Sequence, residues 1–178
     1  AIYALNGLVV IDASKHFDGL AAIWSANAIL LCAIHGQKRQ VAVASYLAAF
    51  AASLFVNWQA GNSALVTLFF AIAKIFEVAM ALYLLKKFIG TDADHCDARN
   101  LQRFVGIMVF ATAMSATLST AVLSDSQFKA WQSWFLSDLL GMLFVVPSLM
   151  ILRQSIRPRQ SGDNGQNRLV EFALISGL

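Results

Sequence analysis

The sequence predicts an all-α fold, a polytopic transmembrane helical bundle of about seven spans or part-spans of a domain of about eight, on three observations. Hydrophobic residues fill 58 % of the 178 positions and charged residues only 13 %, for a mean hydropathy of +0.65. The apolar residues gather into seven stretches, 1–14, 19–35, 41–56, 63–85, 104–123, 131–152 and 169–178, most of them near the roughly 20 residues that cross a bilayer as a helix. Of the twelve lysines and arginines outside these stretches, ten lie in alternate gaps.

Taken in order, the stretch 1–14 is short for a span, and no basic segment precedes it, so it does not read as a cleavable signal peptide. The stretch 19–35 is opened by Trp24 and contains Asn27. In 41–56, Ala44, Ala48 and Ala52 recur at helical spacing, and Trp58 follows just past the end. The stretch 63–85 carries Lys74 and Glu77; 104–123 carries Ala111, Ser115 and Ser119. Small residues spaced this way let helix backbones approach closely in lipid. The stretch 131–152 opens with Trp131 and Trp134, continues through Asp138 and Gly141, and contains Pro147, which can kink a helix by removing a backbone donor. Gly141 and Pro147 are therefore the expected hinge. The last stretch, 169–178, is again short.

The cations orient the bundle. Lys38 and Arg39, then Lys86, Lys87, Arg99 and Arg103, then Arg153, Arg157, Arg159 and Arg168 fill three gaps, whereas the other three hold only Lys15 and Lys129. Basic residues concentrate in short cytoplasmic loops, which places 36–40, 86–103 and 153–168 in the cytoplasm. All four tryptophans then fall at the opposite, outer ends, where indole rings favour the interface. A soluble bundle would not sort cations and indoles this way. The net charge of +3 comes from these loops and fits attraction to anionic lipid heads rather than nucleic acid. Cys32 within a stretch and Cys96 in a cytoplasmic loop are kept apart, so no disulfide is expected. The two short end stretches suggest a piece of a longer protein, one incomplete membrane domain over 1–178.

Polar groups at membrane depth are the places to look for function, because a charge near the bilayer centre costs about 2.5 to 3.5 kcal/mol or more and must face the bundle interior. Asn27, Lys74, Glu77 and Asp138 meet that description. Lys74 and Glu77, three residues apart, share one helix face. Counted from the outer ends of their stretches, Lys74 lies about 16 Å deep and Asp138 about 10 Å, a gap that a lysine stem bridges. Either Lys74 with Asp138 or Lys74 with Glu77 is the expected ion pair. Trp134, Asp138 and Gly141 share a face, which would join an outer indole to a deeper carboxylate. The expected ligand-sensing pocket comprises Trp24, Asn27, Lys74, Glu77, Trp131, Trp134 and Asp138, opening outward under the four tryptophans.

Catalysis is not expected. His16, His35 and His95 lie at stretch ends or in a loop, so no nucleophile meets a base at depth, and no phosphate loop or zinc motif is present. The loop cluster Asp92, Asp94, His95, Cys96 and Asp97 lacks a partner cluster that would close a coordination shell, so neither a metal nor a cofactor is expected.

Three blocks of sequence resemble the first type of bacterial membrane-associated sensor domain, the MASE family. They are Ile23-Trp24-Ser25-Ala26-Asn27 with the turn Gln37-Lys38-Arg39-Gln40; Ala73-Lys74-Ile75-Phe76-Glu77-Val78 running to Tyr83-Leu84-Leu85-Lys86-Lys87; and Trp131, Trp134, Asp138, Gly141 and Pro147, with Glu171 also in keeping. The family often has proline where this chain has Ser25, and asparagine where it has Lys74. The resemblance implies a sensory module of about eight spans in the bacterial inner membrane, ahead of a histidine kinase, diguanylate cyclase or cyclic-di-GMP phosphodiesterase domain that is absent here. It also implies a homodimer, since such output enzymes generally work as dimers.

The leading expectation is a membrane-embedded sensory input module that passes a stimulus, an unidentified small ligand or membrane partner, from the outer pocket to a cytoplasmic output domain. The rivals are a transporter or channel fragment with Lys74, Glu77 and Asp138 along a midplane path, and a docking platform for another membrane protein.

Overall fold

Five helices and no strand occur among the described residues of the computed structural model, which are 24–90, 98–123 and 127–156. They are α1 (Ala26–Ile34), α2 (Arg39–Gln59), α3 (Ala64–Phe88), α4 (Ala98–Thr120) and α5 (Gln127–Ile156). Helices α2, α3 and α4, and α5 over Gln127–Leu152, are long and apolar enough to cross a membrane. Four spans among the described residues thus stand against the seven stretches. The stretches 1–14 and 169–178, the loop 91–97 with Cys96, and Lys15, Arg157, Arg159, Arg168 and Glu171 lie outside the described residues.

The stretch 19–35 departs most from expectation. Its helix, α1, has nine residues and a length of about 13 Å, under half of a hydrocarbon core of about 30 Å. The cause is at Trp24, which is not helical: its backbone N–H donates to the Ser137 carbonyl of α5 at 3.2 Å instead of continuing a helical ladder.

The other helices end as their sequences dictate. Ser63 caps α3, its hydroxyl accepting from the Val66 N–H at 3.4 Å. Lys86 and Lys87 lie in the last turn of α3, where the helix dipole favours cations, and the Arg103 guanidinium donates to the Phe88 carbonyl at 3.2 Å. Arg99 and Arg103 belong to α4 itself, since that helix starts at Ala98 rather than at 104. Gly61, with φ of +81°, turns the chain out of α2.

Helix α3 packs against α1, α2 and α4, while α5 packs against α4 and α1. Among the described residues, α3 and α5 have no close backbone approach, so side chains alone join them. Leu31, Ile34, Val78, Ala81, Leu85, Met108, Ala111, Met142 and Val146 form an apolar core between the helices. Leu47, Phe55, Leu65, Phe110, Phe144 and Ile151 point outward and are half or more exposed, as a lipid-facing surface requires.

The small-residue stripe of α4 is buried as expected at Ala111, Ser115 and Ser119. That of α2 is not: Ala44 and Ala48 are exposed, and Ala49, Ser53 and Val56 are buried. A shift of one residue turns the helix by about 100°. The chosen face keeps the Ser53 hydroxyl against protein, where the alternative would leave it in lipid.

Candidate functional site

Phe70 and Lys74 lie one turn apart on α3, and Trp134 and Asp138 lie one turn apart on α5. The two pairs meet in the same order. Phe70 packs edge-on against Trp134, with ring centroids 4.7 Å apart and planes at 65°. One turn deeper, the Lys74 Nζ donates to both carboxylate oxygens of Asp138, at 2.6 and 2.7 Å. The structure therefore takes Asp138, not Glu77, as the partner of Lys74. Depths now agree as well. Helix α5 begins at Gln127, four residues before the apolar stretch, so both residues lie about 15 to 16 Å along their helices.

Two indoles enclose the ammonium. The Lys74 Nζ is 4.2 Å from the centroid of Trp134 and 4.6 Å from that of Trp24, within cation–π range of both. The Trp134 ring is fixed from behind, whereas Trp24 is fixed through its backbone. Trp134 is held by Phe70 and by its indole N–H, which donates to the Ser115 hydroxyl of α4 at 3.4 Å; Ser115 in turn donates to the Ala73 carbonyl of α3 at 3.2 Å. Trp24 is held by Ser137 and by Gly141, where the absence of a side chain lets the chain press against α5. A Cβ at Gly141 would lie 2.8 Å from the Trp24 carbonyl carbon and closer still to its oxygen.

Glu77 is fully buried beside Asp138, Lys74 and Ser115. Neither of its carboxyl oxygens reaches a hydrogen-bond partner among the described residues. Asn27 is also fully buried, in the first turn of α1, three residues from Trp24. The site thus holds two acids and one base at membrane depth.

Four of the expected site residues, Trp24, Lys74, Trp134 and Asp138, come together, with Glu77 beside them. Trp131 does not join them. Its indole N–H donates to the Thr117 hydroxyl at 3.1 Å and its ring stacks on Phe135 at 5.0 Å, one turn nearer the start of α5. Trp58, in the last turn of α2, is 64 % exposed and roofs nothing. The expected four-indole roof is therefore two indoles. Trp24 is also not an interfacial anchor, because it contacts α5 at Ser137 and Gly141, about 15 to 21 Å from the start of that helix.

Gly141, expected as half of a hinge, is explained by this close approach; Pro147 lies six residues further on, inside a helix that continues to Ile156. Sequence reasoning missed Phe70 and Ser115. Their signal was present, since Phe70 precedes Lys74 by the same four residues that separate Trp134 from Asp138.

No curated protein and no solved structure matches the chain. A protein-family match does exist and covers residues 2–176, nearly the whole chain. With its apolar spans and buried charged cluster, this chain belongs to the MASE1 family of membrane-associated sensor domains.

Proposed function

We propose that the chain is the membrane-embedded sensory input module of a bacterial signal-transduction protein, and that the Lys74–Asp138 pair with its two indoles is where the stimulus acts. The observation that carries this reading is the isolation of the tie. Helices α3 and α5 have no close backbone approach among the described residues, yet a buried ion pair joins them. A ligand that binds the two arrangements of such a tie unequally shifts the helix packing. The downstream domain would be a diguanylate cyclase, a cyclic-di-GMP phosphodiesterase or a histidine kinase, reached from the cytoplasmic end of the bundle.

The cation asymmetry supports an inner-membrane orientation with loops 36–40, 86–103 and 153–168 in the cytoplasm. Homodimerisation would come through the parent protein. The test is Asp138→Asn and Glu77→Gln in the full-length parent, reading output with and without stimulus. Altered output or response at normal expression is expected; unchanged behaviour in both variants sinks the proposed site. Solute flux through proteoliposomes without any stimulus would instead favour a transport path.

A further inference from the structure

The site contains two acids and one base, and the base is hydrogen-bonded to only one of the acids. Lys74 gives two hydrogen bonds to Asp138, while Glu77, buried beside it, has no hydrogen-bond partner among the described residues. A buried carboxyl group without a donor is costly, and a second arrangement in which Lys74 pairs with it would offset that cost. Glu77 lies three residues after Lys74 on the same face of α3, within reach of a long flexible lysine stem.

The place that Lys74 now fills is itself built to hold an ammonium group. Two carboxylate oxygens accept from the nitrogen at 2.6 and 2.7 Å, and two indole faces lie 4.2 and 4.6 Å away. Aromatic faces around a cation are a recurring means of ammonium recognition, and the paired acceptors select a nitrogen that still carries N–H donors. The two tryptophans have supports other than Lys74. Phe70 and Ser115 hold Trp134, and Ser137 and Gly141 hold Trp24.

We infer that Trp24, Trp134 and Asp138 form a recognition site for a primary ammonium ion, filled at rest by the Lys74 side chain, and that an external primary ammonium displaces Lys74 onto Glu77. Both acids are then matched: the ligand pairs with Asp138 and Lys74 with Glu77. The direct ion pair between α3 and α5 is replaced by one within α3, so occupancy changes what holds the two helices together. The conformational consequence rests on the sensory reading given above, but binding can be measured without it.

The experiment places the chain in lipid nanodiscs and titrates methylammonium chloride against sodium chloride at constant ionic strength, reading tryptophan fluorescence. Tetramethylammonium, which has no N–H donor, and methanol, which has no charge, are the comparison ligands. A saturable change with methylammonium alone is expected in the wild type. Lys74→Met, lacking the tethered competitor, should bind about tenfold more tightly or better. Adding Asp138→Asn to Lys74→Met should abolish binding. Glu77→Gln should weaken methylammonium binding at least about threefold more in the wild type than in Lys74→Met, because only the wild type has a lysine to rehouse.

If Lys74→Met does not fold, judged by circular dichroism, Lys74→Gln carries the same comparisons. A wild type that does not respond, equal responses to methylammonium and tetramethylammonium, or an equal effect of Glu77→Gln in both backgrounds overturns the proposal. Methylammonium binding without any change in the parent's output sinks the sensory reading and leaves the ammonium site standing. An effect of Asp138→Asn on output with no ammonium binding does the reverse.

Discussion

A lysine ammonium placed at the depth of Lys74 is stable only because each of its contacts compensates part of the lost hydration. Asp138 supplies the opposite charge and two acceptors, and the two desolvated indole faces add about 2 kcal/mol each. Removing one partner is therefore worse than removing both. Asp138→Leu should destabilise the bundle by about 3 kcal/mol or more in detergent unfolding, because it leaves the ammonium buried and unmatched. Lys74→Met combined with Asp138→Leu should recover most of that loss; a double variant as unstable as the sum of the singles would show that the two side chains do not act as a pair. The charged members of this site were legible in the sequence because a charge at membrane depth must find a partner. Phe70 and Ser115 were not, since a phenyl ring or a hydroxyl in a membrane helix carries no such obligation. Sequence alone also left open whether Asp138 or Glu77 took the lysine, as both lay within its reach.

At the scale of the helices, Gly141 governs how closely the chain before α1 approaches α5. Gly141→Ala places a methyl group against the rigid Trp24 backbone, so it should destabilise by about 1 to 3 kcal/mol and alter the fluorescence of the displaced indole. Gly106→Ala in α4 is the matched control, with nothing within 4 Å of the added carbon; it should be neutral or stabilise by up to about 1 kcal/mol. Equal effects from the two substitutions would remove the close approach as the explanation. The registers of α2 and α4 make a similar contrast. Length and hydropathy announced both helices, and the stripe in α4 was identified correctly. In α2 the abundance of alanine left several faces equally smooth, and the buried one is that of Ala49, Ser53 and Val56. Ala49→Leu should accordingly destabilise by about 1 to 3 kcal/mol through overpacking, whereas Ala48→Leu, directed outward, should be nearly silent. The start of α1 at Ala26 was not legible at all, because it depends on Ser137 and Gly141, more than a hundred residues away in sequence.

For the whole molecule the consequence lies in how few connections join α3 to α5. The helices share neighbours, α1 and α4, and among the described residues the side chains that join them directly include Phe70 and Lys74 of α3 against Trp134 and Asp138 of α5. The Lys74–Asp138 pair is a direct polar tie between the two helices, and under the sensory reading proposed above its loss biases the equilibrium between two packings. Coupling energies between sites are typically about 1 to 3 kcal/mol, so loss of the ion pair is enough to move such an equilibrium about fivefold or more. In the full-length parent, Lys74→Met and Asp138→Asn should each change basal output by about that factor and in the same direction. The double variant should change it no further than the larger single effect, because the tie can be broken only once. Gly106→Ala, remote from the pair, should leave output unchanged. Effects of opposite sign, or effects that multiply in the double variant, would mean that Lys74 and Asp138 reach the output by separate routes.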